Sequence, residues 1–188
     1  MLRNLRSLAL VAALALPTVA SAESYNVDTS HSKATFRVKH FGVSWFWGQF
    51  HDLSGTVEFD AKNPTAGSLD LTIKADSLFT ADKKRDDHLK APDFFNTKQF
   101  PTITFKSKSV AKNGAKMTVT GELNLHGVPK TITADFEFSG EGKDPWGGYR
   151  AGWESKLTIK RSDFGMNFMQ GGIGDDITIY LAIEGVKK

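Results

Sequence analysis

Residues 68–74 alternate without interruption. Leu69, Leu71 and Ile73 fall on one side of an extended chain, and Ser68, Asp70, Thr72 and Lys74 on the other. That period of two marks a strand with one buried and one wetted face. The pattern returns along the chain. Ala34, Phe36, Val38 and His40 share a side, opposite Thr35, Arg37, Lys39 and Phe41. Leu53, Val57 and Phe59 resume a strand after Gly55, which suggests a bulge or bend. Ile103 and Phe105 point inward from residues 102–107, and Met117, Val119, Leu123 and Leu125 from residues 116–126. Ile132, Ala134, Phe136 and Phe138 do so from residues 131–139. Trp153, Leu157 and Ile159 do so from residues 149–160, and Ile177, Ile179, Leu181 and Ile183 from residues 176–184.

Turn chemistry separates these runs. Asn63-Pro64 with Gly67, Asn113-Gly114, Gly127-Val128-Pro129 and Asp144-Pro145-Trp146-Gly147-Gly148 are all turn or hairpin signals. Two stretches depart from the pattern. Trp45-Phe46-Trp47, followed by Gly48, is a dense aromatic cluster read as a cap or lip at one end of the sheet. Residues 77–96 form one long connection. Within it residues 81–89 read as a short helix, and Leu78, Phe79, Leu89, Phe94 and Phe95 would pack it on the sheet as a lid or end cap. The sum is about eight strands with mostly short links and no helix between them, an all-β antiparallel meander. Closed, it is a barrel able to hold one small ligand; split, it is a two-sheet sandwich.

Residues 1–22 stand apart. Arg3 and Arg6 precede a nine-residue apolar run at 8–16, Pro17 ends it, and Ala20-Ser21-Ala22 forms a small-x-small cleavage site. This is the anatomy of a cleaved secretory signal peptide, with residues 23–188 as a single exported domain. Removing Arg3 and Arg6 from the 24 Lys and Arg leaves 22 against 21 Asp and Glu, a net charge of +1. No basic field argues for nucleic acid. The chain has no cysteine, hence no disulfide, thiol nucleophile or thiolate-bound zinc. None of the histidines at 31, 40, 51, 88 and 126 has a compact metal-ligand spacing. Asp28 and His31 beside Ser30 and Ser32 could suggest hydrolysis, but no nucleophile elbow is present and serine is common in turns.

Several short motifs occur in one order: Tyr25-x-x-Asp28 with His31-Ser32, Phe36-x-Val38-Lys39-His40, Gly48-x-Phe50, Ser77-x-x-Thr80 and Arg85-Asp86-x-His88-Leu89. Asp93-Phe94-Phe95, Phe100-Pro101-x-Ile103-x-Phe105-x-Ser107, Gly121-x-Leu123-x-Leu125-His126-Gly127 and Asp163-Phe164-Gly165 follow. With these the chain resembles the YceI-like family of periplasmic proteins over nearly all of residues 23–188. The resemblance implies an extended, eight-stranded, lipocalin-like antiparallel barrel whose interior takes a polyisoprenoid, such as an isoprenoid quinone or a polyprenyl phosphate. It implies no catalytic set and no cofactor.

The alternating positions supply a suitable lining: Phe36, Val38, His40, Leu71, Ile73, Phe105, Met117, Val119, Leu123, Ile132, Phe136, Trp153, Leu157, Ile177 and Ile179. Burying each CH₂ of a tail is worth about 0.8 kcal/mol, so a long lipid binds without many polar contacts. The same residues could instead fill a dry core. His40 is either a satisfied core histidine or a contact for a polar head. The Lys83-Lys84-Arg85 run with His88 could receive a phosphate at a helix start, or pair locally with Asp82, Asp86 and Asp87. Trp45-Phe46-Trp47 either plugs the barrel end or touches a membrane surface, and an exposed aromatic lip could also support a homodimer. The expected function is a non-catalytic carrier or sequestering protein for a long-chain lipid. An enzyme acting on a lipid, ester or amide and a stress-related interaction module with a packed core are the alternatives.

Overall fold

The computed structural model describes residues 22–188, so the leader expected over residues 1–22 lies, apart from Ala22, outside the described residues. Eleven strands and one short helix follow. They are β1 (Glu23–Val27), β2 (Lys33–His40), β3 (Ser44–Phe50), β4 (Leu53–Phe59), β5 (Ser68–Lys74), β6 (Leu78–Phe79) and α1 (Lys83–Leu89), then β7 (Thr102–Asn113), β8 (Lys116–Leu125), β9 (Val128–Lys143), β10 (Tyr149–Lys160) and β11 (Ile173–Lys187).

All pairings between these strands are antiparallel. Eight of them, β1, β4, β5, β7, β8, β9, β10 and β11, close into a ring through the β1–β11 pairing. The other three extend it. β2 continues β1 along the same edge of β11, β3 pairs with β2 as β4 does with β1, and β6 pairs with β3. The barrel is therefore made of eight long strands, the number the alternation predicts, and three of them are broken. Breaking the strands leaves backbone groups at the joints, and side chains take them up. Thr29 Oγ1 donates to the Leu53 carbonyl at 2.9 Å, and the Asp52 N–H donates to Ser77 Oγ at 3.1 Å.

The aromatic cluster is strand, not cap. Residues 44–50 form β3, paired with β2 from His40↔Ser44 to Ala34↔Phe50. Alternation holds there, but both faces carry aromatics. Phe46 and Phe50 face inward. Trp47 lies on the outer face and meets Tyr180 at 5.4 Å, while Trp45, at the start of the strand, has Arg37 4.3 Å from its ring centroid and also borders the interior at that end. Those contacts explain aromatic residues on a wetted face: a guanidinium and a neighbouring ring cover them.

Two inward glycines are required by their neighbours. A Cβ on Gly48 would stand 2.4 Å from Phe36 Cζ, and one on Gly121 would stand 2.5 Å from Phe105 Cζ. Each glycine leaves room for the ring of a nearby strand to lie across the backbone.

The interior has two unlike halves. At the β1–β4 end Tyr25, Leu53, Val57, Met117, Val119, Phe136 and Trp153 are buried in a solid core. Trp153 sits edge-on to Tyr25 and to Phe59, both with ring centroids at 5.5 Å. Such packing seals one end of the barrel. An ion-pair cluster stands outside it. Arg150 donates to Asp28 at 2.7 Å, Asp144 at 2.9 Å and Glu184 at 2.5 Å. Ser30, Arg150 and His31 hold the Asp28 carboxyl far below its ordinary value.

Candidate functional site

The other half is hollow. A cavity of about 450 Å³ runs from the sealed core to an open mouth. Leu53, Leu71, Ala134 and Phe136 belong to both the sealed core and the cavity, and so form its floor. Phe36 and Val38 of β2, Ile73 of β5, Phe105 of β7, Leu123 of β8, Ile132 of β9, Leu157 of β10 and Ile177 and Ile179 of β11 make the wall. Every one comes from the inward set of its strand. Ile177 and Ile179 are only half buried because they face empty space rather than a packed neighbour.

Three residues of the proposed lining are elsewhere. Met117, Val119 and Trp153 do not reach the cavity; they are buried in the solid core below its floor. Alternation gives the face of a strand but not the height along the barrel, so residues inward at the plug look the same as residues inward at the cup. The packed-core alternative describes the lower half alone. His40 is on the correct side but solvent-exposed at the mouth, its ring 4.3 Å from that of Phe41.

Other wall residues were in reach of the same pattern. Ala34, Leu125, Ile159 and Leu181 are the next inward positions along β2, β8, β10 and β11. Leu89, Phe94 and Phe95 close the side where β6 and β7 do not pair, and Phe95 meets Phe50 edge-on at 5.3 Å. Arg85 and Arg161 also line the cavity, and no periodicity marks Arg85. Arg161 follows β10 at the end of its inward set. Burial pushes its guanidinium below the usual value.

The mouth is defined by wall residues that also meet solvent: His40, Ser44, Trp45, Arg85, His88 and Met169. Exposed Phe41, Val43 and Phe168 stand beside them, Val43 at 81%. The start of α1 is not a free anion site. Asp82 caps it by accepting from the Arg85 N–H at 2.9 Å, and Lys83 pairs with Asp87 at 2.6 Å.

The Asp28, Ser30 and His31 cluster lies outside the cavity. His31 Nδ1 is 2.9 Å from Asp28 Oδ2 and 3.0 Å from Ser30 Oγ. A nucleophile relay needs the two ring nitrogens on two different partners; here one nitrogen serves both. Asp28, His31 and Glu184 could group around a metal ion, but the Arg150 guanidinium already donates to both carboxylates.

An antiparallel barrel sealed at one end and hollow at the other, with an apolar wall and a few polar groups at the lip, defines a binding protein of the lipocalin-like class. A YceI-like domain model matches residues 25–185, and the chain belongs to that family. A UPF0312 protein of Pseudomonas aeruginosa is 40% identical, over 99% of this chain and 98% of its own. The crystal structure of a Campylobacter jejuni YCEI protein is 35% identical with a TM-score of 0.71, over 80% of this chain and 90% of its own. A domain from Saccharophagus degradans, described as polyisoprenoid-binding, has a TM-score of 0.66 at 18% identity, over 88% of this chain and 99% of its own, and supports the fold.

Proposed function

We propose that this protein is a non-catalytic periplasmic carrier that holds one long-chain isoprenoid lipid in the hollow half of its barrel. The observation that carries the proposal is the cavity itself: about 450 Å³, an almost wholly apolar wall, and a single open end. Its length suits a chain. From His40 at the lip to Ala34 near the floor, a rise of about 3.3 Å per residue gives roughly 20 Å of wall. A five-carbon prenyl unit buried there contributes about 4 kcal/mol at about 0.8 kcal/mol per carbon. The Saccharophagus degradans domain described as polyisoprenoid-binding supports the same class of ligand. Residues 1–22 support export.

Native mass spectrometry of the protein purified from its own periplasm, with organic extraction of bound material, tests this reading. A stoichiometric prenyl lipid is the expected result. An empty protein that takes up no polyprenyl lipid on incubation would refute it. Loading occurs at the mouth, where Phe41, Val43, Trp45, Phe168 and Met169 are exposed together as an apolar lip able to enter a membrane interface. Flotation with phospholipid vesicles checks that step: Val43→Asp should lower co-flotation, and an unchanged bound fraction would count against it.

A further inference from the structure

Among the described residues, the cavity wall contains no carboxylate. Its permanently charged side chains are Arg85 and Arg161, and His40 and His88 are the titratable remainder. Arg161 is 4% exposed. It donates from Nε to the Gly174 carbonyl at 2.9 Å, from Nη1 to the Met166 carbonyl at 2.6 Å and from Nη2 to the Ile173 carbonyl at 3.0 Å. These dipoles solvate the charge but do not neutralise it. The nearby acid, Asp175, accepts instead from the Ser162 N–H at 2.9 Å and the Ser162 hydroxyl at 2.8 Å. Ile173 is opposite His40 in the β11–β2 register, which sets Arg161 at the level of the mouth.

Arg85 reaches the mouth from α1. Its Nε and Nη2 donate to the Thr80 hydroxyl at 2.9 Å and the Thr80 carbonyl at 2.6 Å, and its guanidinium lies 4.7 Å from the Phe46 ring centroid. Asp86 is linked to it only through the Thr80 hydroxyl, which donates to the Asp86 carboxylate. His88 has an acid of its own, Asp93, at 3.1 Å. Arg150, with three carboxylates, shows what a neutralised arginine looks like in this fold.

A neutral guest would seal buried Arg161 under hydrocarbon and crowd solvent-facing Arg85 while offering neither a counter-charge, which is unfavourable. An anionic head reverses the sign. We infer that the cup selects lipids with an anionic oxygen head, phosphate or carboxylate, which Arg85 and Arg161 hold at the mouth while the tail fills the apolar wall. This rests on the lipid-binding reading above and narrows it against neutral heads.

The test compares a polyprenyl phosphate with the polyprenol of the same chain length, binding to delipidated protein at low and high salt, with inorganic phosphate as competitor. The phosphate should bind about tenfold or more tightly, the ratio one charge-assisted hydrogen bond supplies. That ratio should shrink in salt and collapse toward one in Arg85→Gln. Arg161→Lys should lower it partly, because the charge stays but the fork is lost. A variant that changed only packing would weaken both lipids alike. Equal affinities for the two lipids, or a ratio unmoved by either variant, would overturn the inference. Inorganic phosphate competing at the same concentration as the lipid would overturn it too, by making the site one for free anions. Binding of neither lipid would overturn the reading beneath it.

Discussion

Ala34→Leu separates the cup from the fold. Ala34 is buried on β2, and its side chain faces the cavity. Leucine adds three carbons that point into space now empty. At about 0.8 kcal/mol per carbon the added burial is worth at most ~2.4 kcal/mol, and about 2 kcal/mol once unfolded-state burial is discounted. Delipidated protein should therefore melt about 4–8 °C higher, at 2–4 °C per kcal/mol for a domain of this size. A ligand tail loses the same space. An equal loss of about 2 kcal/mol weakens lipid binding about thirtyfold. Thermal unfolding followed by far-UV circular dichroism and calorimetric titration with a polyprenol measure the two effects. Opposite signs are the signature of a real void that the ligand occupies. A fall in melting temperature would mean that the wall is already filled at Ala34. Unchanged affinity would mean that the tail lies elsewhere.

Gly121→Ala should be costly, because its Cβ would stand 2.6 Å from the Lys106 carbonyl oxygen as well as 2.5 Å from the Phe105 ring, and the carbonyl cannot move aside; a loss of about 1–3 kcal/mol is expected in chemical denaturation. Val119→Ala, in the sealed core, should lose about 2–3 kcal/mol of stability, whereas Ile179→Ala, facing the void, should lose less stability and more lipid affinity. Acid should weaken the fold through Asp28. Its folded carboxyl lies below the ordinary value of about 3.9, so its contribution is complete above about pH 5 and disappears as pH falls further. Asp28→Asn should flatten that acid limb in melting scans from pH 6 to pH 2, and an unchanged slope would place the acid sensitivity elsewhere.

Much of this was legible in the alternation. Phe36 and Val38, Leu71 and Ile73, and Ile177 and Ile179 each face the cavity as their strand period requires. Two kinds of feature were not legible. Height along the barrel is one: Met117 and Leu123 share a face of β8, yet one is in the plug and the other in the cup. Register sets that, and register depends on long-range pairing across the ring. The other is side-chain reach. Arg85 looks like part of a solvated basic run, but its guanidinium turns back onto Thr80 and Phe46 and meets the cavity. The β3 strand was hidden for a related reason. Its outer face is covered by Arg37 and Tyr180, so polarity does not alternate although orientation does.

The broken strands connect these features. β1–β2, β3–β4 and β5–β6 are interrupted at one level, where Thr29 meets Leu53 and Ser77 meets His51 and Asp52. Below that seam every strand of the ring is paired on both sides, and the interior is a packed apolar core. Just past it the Ala75 N–H still donates to the Pro101 carbonyl at 2.9 Å, but β6 and β7 then part, and residues 80–101 fill the gap with side chains instead of a hydrogen-bond ladder. A closed ladder fixes the circumference of a barrel. A wall closed in part by Leu89, Phe94 and Phe95 does not, because apolar contacts tolerate sliding that hydrogen bonds do not. The seam thus divides the work. The lower ring holds the stability of the fold, and the upper ring is left free to be wider, empty and adjustable to the thickness of its guest.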